Sequence, residues 1–213
     1  MAENKLQLTE KQLDVLRKKV CDYLDDKRIP HVLAVEREAA YLGEAYLPDD
    51  VNRLRASALM HDITKRDNLD KQLQLCREFG IILPVYAIYS PLVLHSLTGA
   101  ALAEKVFPEY CDEEILSAIR WHTTGRDGMS IFEAIVNLSD YIEDTRKYDD
   151  CVNTRAFIHN GIKNGEEKYP LLCRTMIKMF DSTVTHLIRK GEVICPETLA
   201  ARNYYIIQTK TNH

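Results

Sequence analysis

The sequence predicts an all-α fold of about ten helices. Apolar residues recur at intervals of three and four along most of the chain, and proline and glycine residues separate these stretches. No alternating apolar–polar run is long enough to demand a sheet. With 213 residues, of which 46% are hydrophobic and 28% charged, the chain can bury a substantial core and has an ordinary globular composition.

The first three helices are predicted from caps and apolar stripes. Thr9 caps the first, whose apolar positions are Leu13, Leu16, Val20 and Leu24. Pro30 occupies the first turn of the second, which ends before Pro48. Its stripe comprises Val32, Val35, Ala39, Leu42 and Ala45. Pro48-Asp49-Asp50 provides a turn and a cap for the third helix, with inward positions Val51, Leu54, Ala58 and Leu59.

The remaining helices are predicted between helix-breaking proline and glycine residues. Residues 67–79 form the fourth helix, and residues 81–94, which contain Pro84 and Pro91, form a loop with short helical turns. Further helices are predicted over residues 91–106, 112–121, 130–144, 152–160, 166–189 and 196–208. Ser130 caps the third of these six, after a loop at residues 125–128. We expect one domain: an N-terminal helix (1–25), a metal-binding core (26–150) and C-terminal helices (151–213) that complete it.

Charge and cysteine usage restrict the partners and the compartment. A formal net charge of −4 argues against a surface for polymeric nucleic acid, and no apolar run is long enough to span a membrane. No secretory signal is visible, so a cytoplasmic protein with reduced thiols is expected. The six cysteines are scattered and are predicted to be small core residues. They are Cys21, Cys76, Cys111, Cys151, Cys173 and Cys195.

An ordered set of histidines and aspartates carries the functional signal. Its members are His31, His61, Asp62, His95, His122 and Asp140. Each lies on a predicted helix or at a helix end, and His61-Asp62 follows an apolar run directly. Asp140 lies four residues after Val136, beside an apolar stripe, where a carboxylate needs a partner. Imidazole and carboxylate ligands suit iron, manganese or, less well, zinc.

Taken singly, these residues are weak signals. A lone histidine in a helix is more often a satisfied or exposed side chain than a ligand, and an aspartate on a helix flank is usually solvated. The order and placement of the whole set favour a metal site. His159, His186 and His213 lie outside the set and are predicted to be structural.

Local strings around this set resemble the YqeK-type HD-domain family. They are Ala58-Leu-Met-His-Asp-Ile-Thr-Lys65, His122-Thr-Thr-Gly-Arg-Asp-Gly-Met-Ser130, Leu138-Ser-Asp-Tyr-Ile-Glu-Asp-Thr-Arg146 and Ile194-Cys-Pro-Glu-Thr-Leu-Ala-Ala-Arg-Asn203. The resemblance spans roughly residues 18–205. It implies an HD-domain helical bundle around a metal site. It also implies symmetrical hydrolysis of diadenosine tetraphosphate to two ADP by a metal-activated water, with iron as the metal and manganese or another divalent ion as the alternative.

The resemblance also implies roles for individual residues. His31, His61, Asp62 and Asp140 match the ligands of a first ion, and His95 and His122 would hold a second ion that Asp62 bridges. Asp62, His95 and His122 are the implied catalytic residues. The implied substrate-binding residues are His31, Lys65, His95, His122, Thr123 and Arg146. Two departures from the family pattern are Ile29-Pro30 before His31 and Asp144-Thr145 before Arg146.

Four further residues receive an expected role, and two alternative functions stay open. Arg126 is a weaker phosphate-binding candidate, Trp121 is more readily a core or rim aromatic than a base-stacking residue, and Tyr204 and Tyr205 are expected to pack the last helix onto the body. The ligand set also suits hydrolysis of nucleoside mono- or triphosphates, or a non-catalytic nucleotide-binding module. The expected ligand is a dinucleoside polyphosphate or a nucleoside diphosphate, and a homodimer is plausible.

Overall fold

A computed structural model describes residues 5–211 and confirms the all-α prediction, with ten α-helices and no strand in that range. The helices are α1 (Glu10–Val20), α2 (Ile29–Tyr46), α3 (Val51–Met60), α4 (Leu69–Glu78), α5 (Leu94–Val106), α6 (Glu113–Trp121), α7 (Ile131–Ile142), α8 (Asp149–Lys163), α9 (Lys168–Lys190) and α10 (Pro196–Thr211). Short 3-10 turns at Val85–Tyr89 and Pro91–Val93 occupy the segment predicted to be a loop.

Helix α3 is at the centre of the bundle. It packs against α1, α2, α5, α6 and α7, and most of its side chains are buried. Helices α8 and α9 pack against α7, and α10 packs along α9, with Tyr205 buried and Tyr204 partly buried as expected. The division into segments 1–25, 26–150 and 151–213 stays a prediction. No helix within residues 5–211 has the length and hydropathy needed to cross a membrane.

The caps explain where several helices begin. Thr9 and Ser130 each form a capping box with the residue three positions later, as the sequence indicates. Pro48–Asp50 forms a turn and Asp50 is the N-cap of α3, as predicted, but its carboxylate accepts from Lys5 and Arg53 and not from a helical N–H. Asn68 is the N-cap of α4, so this helix starts two residues later than predicted.

Two expectations about the N-terminal region are also wrong. Helix α1 ends at Val20, and a 3-10 turn at Cys21–Tyr23 follows, so Leu24 lies outside the helix. Cys21 is exposed and not part of the core, because the chain leaves the helix there. Four of the other cysteines are buried, Cys111 is partly buried, and none of the six forms a disulfide. His213 lies outside the described residues.

Candidate metal centre

Asp62 lies at the centre of the predicted set. The buried segment Ala56–Met60 ends α3, His61 is its C-cap, and the chain then turns through residues 61–67. His61 is fully buried, and the Asp62 side chain is also inaccessible to solvent. Burying an unpaired carboxylate is costly, so the surroundings of Asp62 have to supply positive charge or donors.

The two oxygens of Asp62 face four imidazoles. The Asp62 Oδ2 atom lies 3.1 Å from His61 Nε2 and 3.5 Å from His31 Nε2. The Oδ1 atom lies 3.2 Å from His95 Nε2 and 3.7 Å from His122 Nε2. Four separate segments of the chain therefore direct a ring nitrogen toward one carboxylate.

Asp140 completes one side of this cluster from the last turns of α7. Its Oδ1 atom lies 3.1 Å from His31 Nε2 and 3.9 Å from His61 Nε2. Two overlapping groups result, in which the potential ligand atoms all lie within 4.8 Å of one another. The groups are His31, His61 and Asp140, and His61, Asp62 and His122. The structure thus brings together all six residues that the sequence singled out.

The unpartnered polar atoms in this cluster fit a divalent cation. His31 Nε2, His61 Nε2 and Asp62 Oδ1 are buried without a hydrogen-bond partner, although they face one another. Ligand atoms about 2.1 Å from a common ion stand about 3 Å apart at right angles, which matches the shortest separations found here. The mixed nitrogen and oxygen donor set, without thiolates, suits iron or manganese.

The electrostatic field of the cluster favours a cation. Burial lowers the pKa of His31, but the nearby carboxylates of Asp140, Asp62 and Glu143 outweigh it and raise that pKa to about 10. Burial lowers the pKa of His95 to about 4, so its ring is neutral at pH 7 and keeps a lone pair. Although burial alone raises the pKa of Asp62, the surrounding imidazoles, His61 foremost, hold it well below its ordinary value.

Three cationic side chains border the cluster. Arg146 Nη2 lies 2.7 Å from Asp140 Oδ1, and its Nε donates to the Asp140 carbonyl. Lys65 Nζ lies 3.2 Å from His95 Nε2. Arg28 pairs with Asp62. Thr123 Oγ1 lies within 3.2 Å of the Nε2 atoms of both His95 and His122. Lys65, Thr123 and Arg146, for which the resemblance implies substrate binding, therefore lie beside the cluster.

The sequence reasoning missed Arg28 and Glu143. Arg28 is the N-cap residue of α2 and lies three residues before His31, a spacing of about one helical turn that indicates a position near the cluster. Glu143 is fully buried, and its Oε1 atom lies 3.2 Å from His31 Nδ1. No local sequence signal marks Glu143, because its burial depends on how the C-terminal end of α7 meets the start of α2.

Other histidines and Arg126 lie apart from the cluster. The Arg126 Nη2 atom pairs with Glu133 Oε2 at 3.0 Å, and a phosphate role for Arg126 stays a prediction. This pairing arises because Ser130 and Glu133 form the cap of α7, next to the loop that carries Arg126. His159 pairs with Glu38 at 2.7 Å, and His186 is exposed.

Two depressions adjoin the cluster. One is lined by charged and polar groups that include Arg28, His31, Arg146 and Lys147. The other is more apolar and borders the segment after His95 and the end of α6. Its lining includes Ile82, Tyr86, Leu97, Trp121 and Cys195. Trp121 is partly exposed there, which agrees with a rim position.

A family comparison accounts for this arrangement. The protein-family model described as HD domain matches residues 28–145, which include all six clustered residues. This chain belongs to the HD domain family. The family resemblance predicted from the motifs is thereby confirmed. An HD domain implies divalent metal binding, and the cluster of His and Asp side chains supplies suitable ligands.

Two curated bacterial proteins and one solved structure are similar to this chain over most of its length. A Staphylococcus aureus protein named symmetrical bis(5'-nucleosyl)-tetraphosphatase is 31% identical over 85% of this chain and 88% of its own length. A Halalkalibacterium halodurans protein of the same name is 31% identical over 88% of this chain and 94% of its own. The crystal structure of a predicted HD superfamily hydrolase involved in NAD metabolism from Clostridium acetobutylicum has a TM-score of 0.80. It is 32% identical and covers 92% of this chain and 97% of that one.

Proposed function

We propose that this HD domain is a metal-dependent symmetrical bis(5'-nucleosyl)-tetraphosphatase that cleaves diadenosine tetraphosphate into two ADP. The observation that carries the proposal is the buried His/Asp cluster bordered by Arg28, Lys65 and Arg146. A tetraphosphate bears several negative charges, and cations next to a metal centre are suited to neutralise them. The names of the two bacterial relatives support the choice of substrate.

The ligand roles follow the family resemblance, and the clustering of these residues supports them. His31, His61, Asp62 and Asp140 would hold a first ion, and His95 and His122, together with Asp62, would hold a second. Iron is the metal we propose, with one or two ions bound and manganese as the alternative. When bound, the metal supplies Lewis-acid stabilisation of phosphate charge and activates the attacking water.

The residues of this chain then bind the substrate and neutralise its charge. The attacking water forms a bond to one inner phosphorus atom, and the bond from that phosphorus to the central bridging oxygen breaks. The departing diphosphate is a stable anion near neutral pH, so neutralisation of its charge by Lys65 and Arg146 matters more than its protonation. We assign the Thr123 hydroxyl to a hydrogen bond with a phosphoryl oxygen, and His122 keeps its ligand role. His95, a neutral ring whose Nδ1–H is tied to the Leu92 carbonyl, acts as a ligand.

The charged depression lined by Arg28, His31 and Arg146 suits the phosphates of the substrate. Cytoplasmic localisation and homodimer formation stay predictions.

Product analysis tests the proposal. Protein purified without chelators is supplied with iron(II) or Mn²⁺ and incubated with diadenosine tetraphosphate, with AMP and with ATP, and the products are separated by anion exchange. We expect the tetraphosphate to give only ADP, at a rate well above that of any other substrate. Formation of AMP and ATP from it, or faster release of nucleoside or phosphate from the mononucleotides, would favour the other phosphohydrolase. Tight nucleotide binding without turnover would favour the non-catalytic module.

A further inference from the structure

Three of the four imidazoles in the cluster are oriented in the same way. His61, His95 and His122 each donate Nδ1–H to the main-chain carbonyl three residues earlier, at 2.6 Å. The accepting residues are Ala58, Leu92 and Ile119. Because a carbonyl oxygen only accepts, this contact fixes the proton on Nδ1 and leaves Nε2 free for a ligand role.

His31 is oriented by a different hydrogen-bond partner. It is the third residue of α2, so the carbonyl three residues earlier belongs to Arg28, and that carbonyl accepts the N–H of Val32 at 3.0 Å. The partner of His31 Nδ1 is instead the carboxylate of Glu143, which arrives from the C-terminal end of α7. His31 is therefore the one imidazole of the four whose Nδ1 atom has an anionic partner.

The chain holds this carboxylate firmly. Glu143 is fully buried, its Oε1 atom accepts the Thr145 hydroxyl at 2.8 Å, and its Oε2 atom accepts the Thr145 N–H at 2.6 Å. Arg155 of α8 donates to the carbonyls of Ile142 and Glu143 at 2.7 and 2.6 Å, which fixes the end of α7. Both carboxylate oxygens are engaged, so Glu143 is not itself placed to bind an ion. Thr145, which departs from the family pattern, thus contacts Glu143 through both its hydroxyl and its N–H.

We propose that Glu143, held by Thr145, is the positioning residue of the metal centre and sets its affinity through His31. A carboxylate that accepts the Nδ1–H of an imidazole fixes the orientation of the ring. It also makes the other nitrogen, Nε2, more basic than a carbonyl acceptor does. The half of the cluster with His31, His61 and Asp140 therefore binds a divalent ion more tightly than the half with His95 and His122. The inference rests on the metal binding in the proposed function, and it concerns a residue that contacts no substrate.

The test measures ion affinity, not turnover. Wild type, Glu143→Gln and Glu143→Ala are titrated with Mn²⁺, and free ion is followed by electron paramagnetic resonance. We expect Glu143→Ala to bind Mn²⁺ about 10- to 100-fold more weakly, and Glu143→Gln, which keeps an acceptor but loses the charge, to fall between it and wild type. The visible absorption of the Co²⁺-loaded protein should change in the same order.

Glu133→Gln is the matched control, since Glu133 is also a buried glutamate of α7 but bonds to Ser130 and Arg126. We expect its Mn²⁺ affinity to equal that of wild type. Thr145→Val is the second variant, because Thr145 is exposed and its loss does not open the core. Removal of one hydrogen bond to Glu143 should weaken Mn²⁺ binding about three- to tenfold.

Two results would overturn the inference. One is wild-type affinity in Glu143→Gln and Thr145→Val, and the other is an equal loss in Glu133→Gln, which would indicate a general effect of helix α7. These outcomes are separate from failure of the proposed function. A wild type that binds Mn²⁺ and releases no ADP from the tetraphosphate would refute that function and leave the ion titrations valid.

Discussion

Two buried polar clusters lie at opposite ends of helix α3, and they differ in how their charges are compensated. At the first end, Arg53 donates to Asp50, Asp112 and Glu114 at 2.5, 2.8 and 2.9 Å. At the other end, imidazoles and carboxylates converge around Asp62 and leave acceptor atoms unpartnered. The Arg53 cluster is complete within the chain and acts structurally, whereas the Asp62 cluster needs a cation to be complete.

The largest effect is expected from Asp62→Asn, which removes the charge that all four imidazoles face. Loss of metal-based charge stabilisation, worth several kcal/mol, should lower kcat/KM by about 10³-fold or more. Hydrolysis of diadenosine tetraphosphate is the assay. Asp67→Asn, the same substitution five residues later, is the control and should stay within about twofold of wild type. Comparable activity in the two variants would remove Asp62 from the centre of the site.

The complementary variant is Arg53→Met, which removes the buried guanidinium that pairs with buried Asp50 and with the partly exposed Asp112 and Glu114. We expect the free energy of unfolding to fall by about 3 kcal/mol, because breaking a buried ion pair leaves uncompensated charge. Urea unfolding gives this value, and a Mn²⁺ titration of the folded variant should match wild type. A normal stability together with weakened Mn²⁺ binding would reverse the roles assigned to the two clusters.

A smaller effect is expected from Lys65→Met, which retains the apolar stem and removes the ammonium group next to His95. Loss of one charge-assisted hydrogen bond to phosphate should lower kcat/KM by about 10- to 100-fold. Steady-state kinetics of Lys65→Met and of Lys71→Met, an exposed residue on α4, separate the local effect from a change in net charge. Equal values for the two lysine variants would exclude a phosphate contact at Lys65.

The smallest effect is a pH dependence of stability at the Arg53 cluster. Burial raises the pKa of Asp50, but ion pairs with Lys5 and Arg53 outweigh it and hold the pKa below 3.8. A depressed folded-state pKa stabilises the protein above the unfolded value, and this contribution is lost as the pH falls through the folded value. The stability difference between wild type and Asp50→Asn should therefore be constant above pH 5 and shrink below about pH 4. Urea unfolding at several pH values measures it, and a difference that grows on acidification would contradict it.

The fold was predictable from sequence because its signals are local. Thr9 and Ser130 cap the helices that they precede, and the apolar stripes of α1, α2 and α3 face the core. Details that depend on tertiary contacts were not predictable. Asp50 has the chemistry of a cap, yet its carboxylate is drawn to Arg53 and Lys5, and the latter lies 45 residues away in sequence.

The candidate site divides in the same way. The six clustered residues could be found from their order and from family motifs, since each motif carries its own ligand. Glu143 could not be found from the sequence, because its role depends on where α7 ends relative to the start of α2. Its partner His31 lies 112 residues earlier in the chain. The ion pair between Arg126 and Glu133 was not predicted either, because the loop around Arg126 suggested a phosphate contact and this pairing depends on the cap of α7.

Thermal unfolding with and without a divalent ion tests the contrast between the clusters most directly. Chelator-treated wild type, Asp62→Asn and Arg53→Met are scanned alone and with Mn²⁺ at about 100 times its Kd for wild type. Binding to the folded state should stabilise wild type and Arg53→Met by about 2.7 kcal/mol, and raise their Tm by about 5–10 °C. Asp62→Asn should show almost no shift. An equal shift in Asp62→Asn, or none in wild type, would contradict the account of Asp62 as the centre of a cation site.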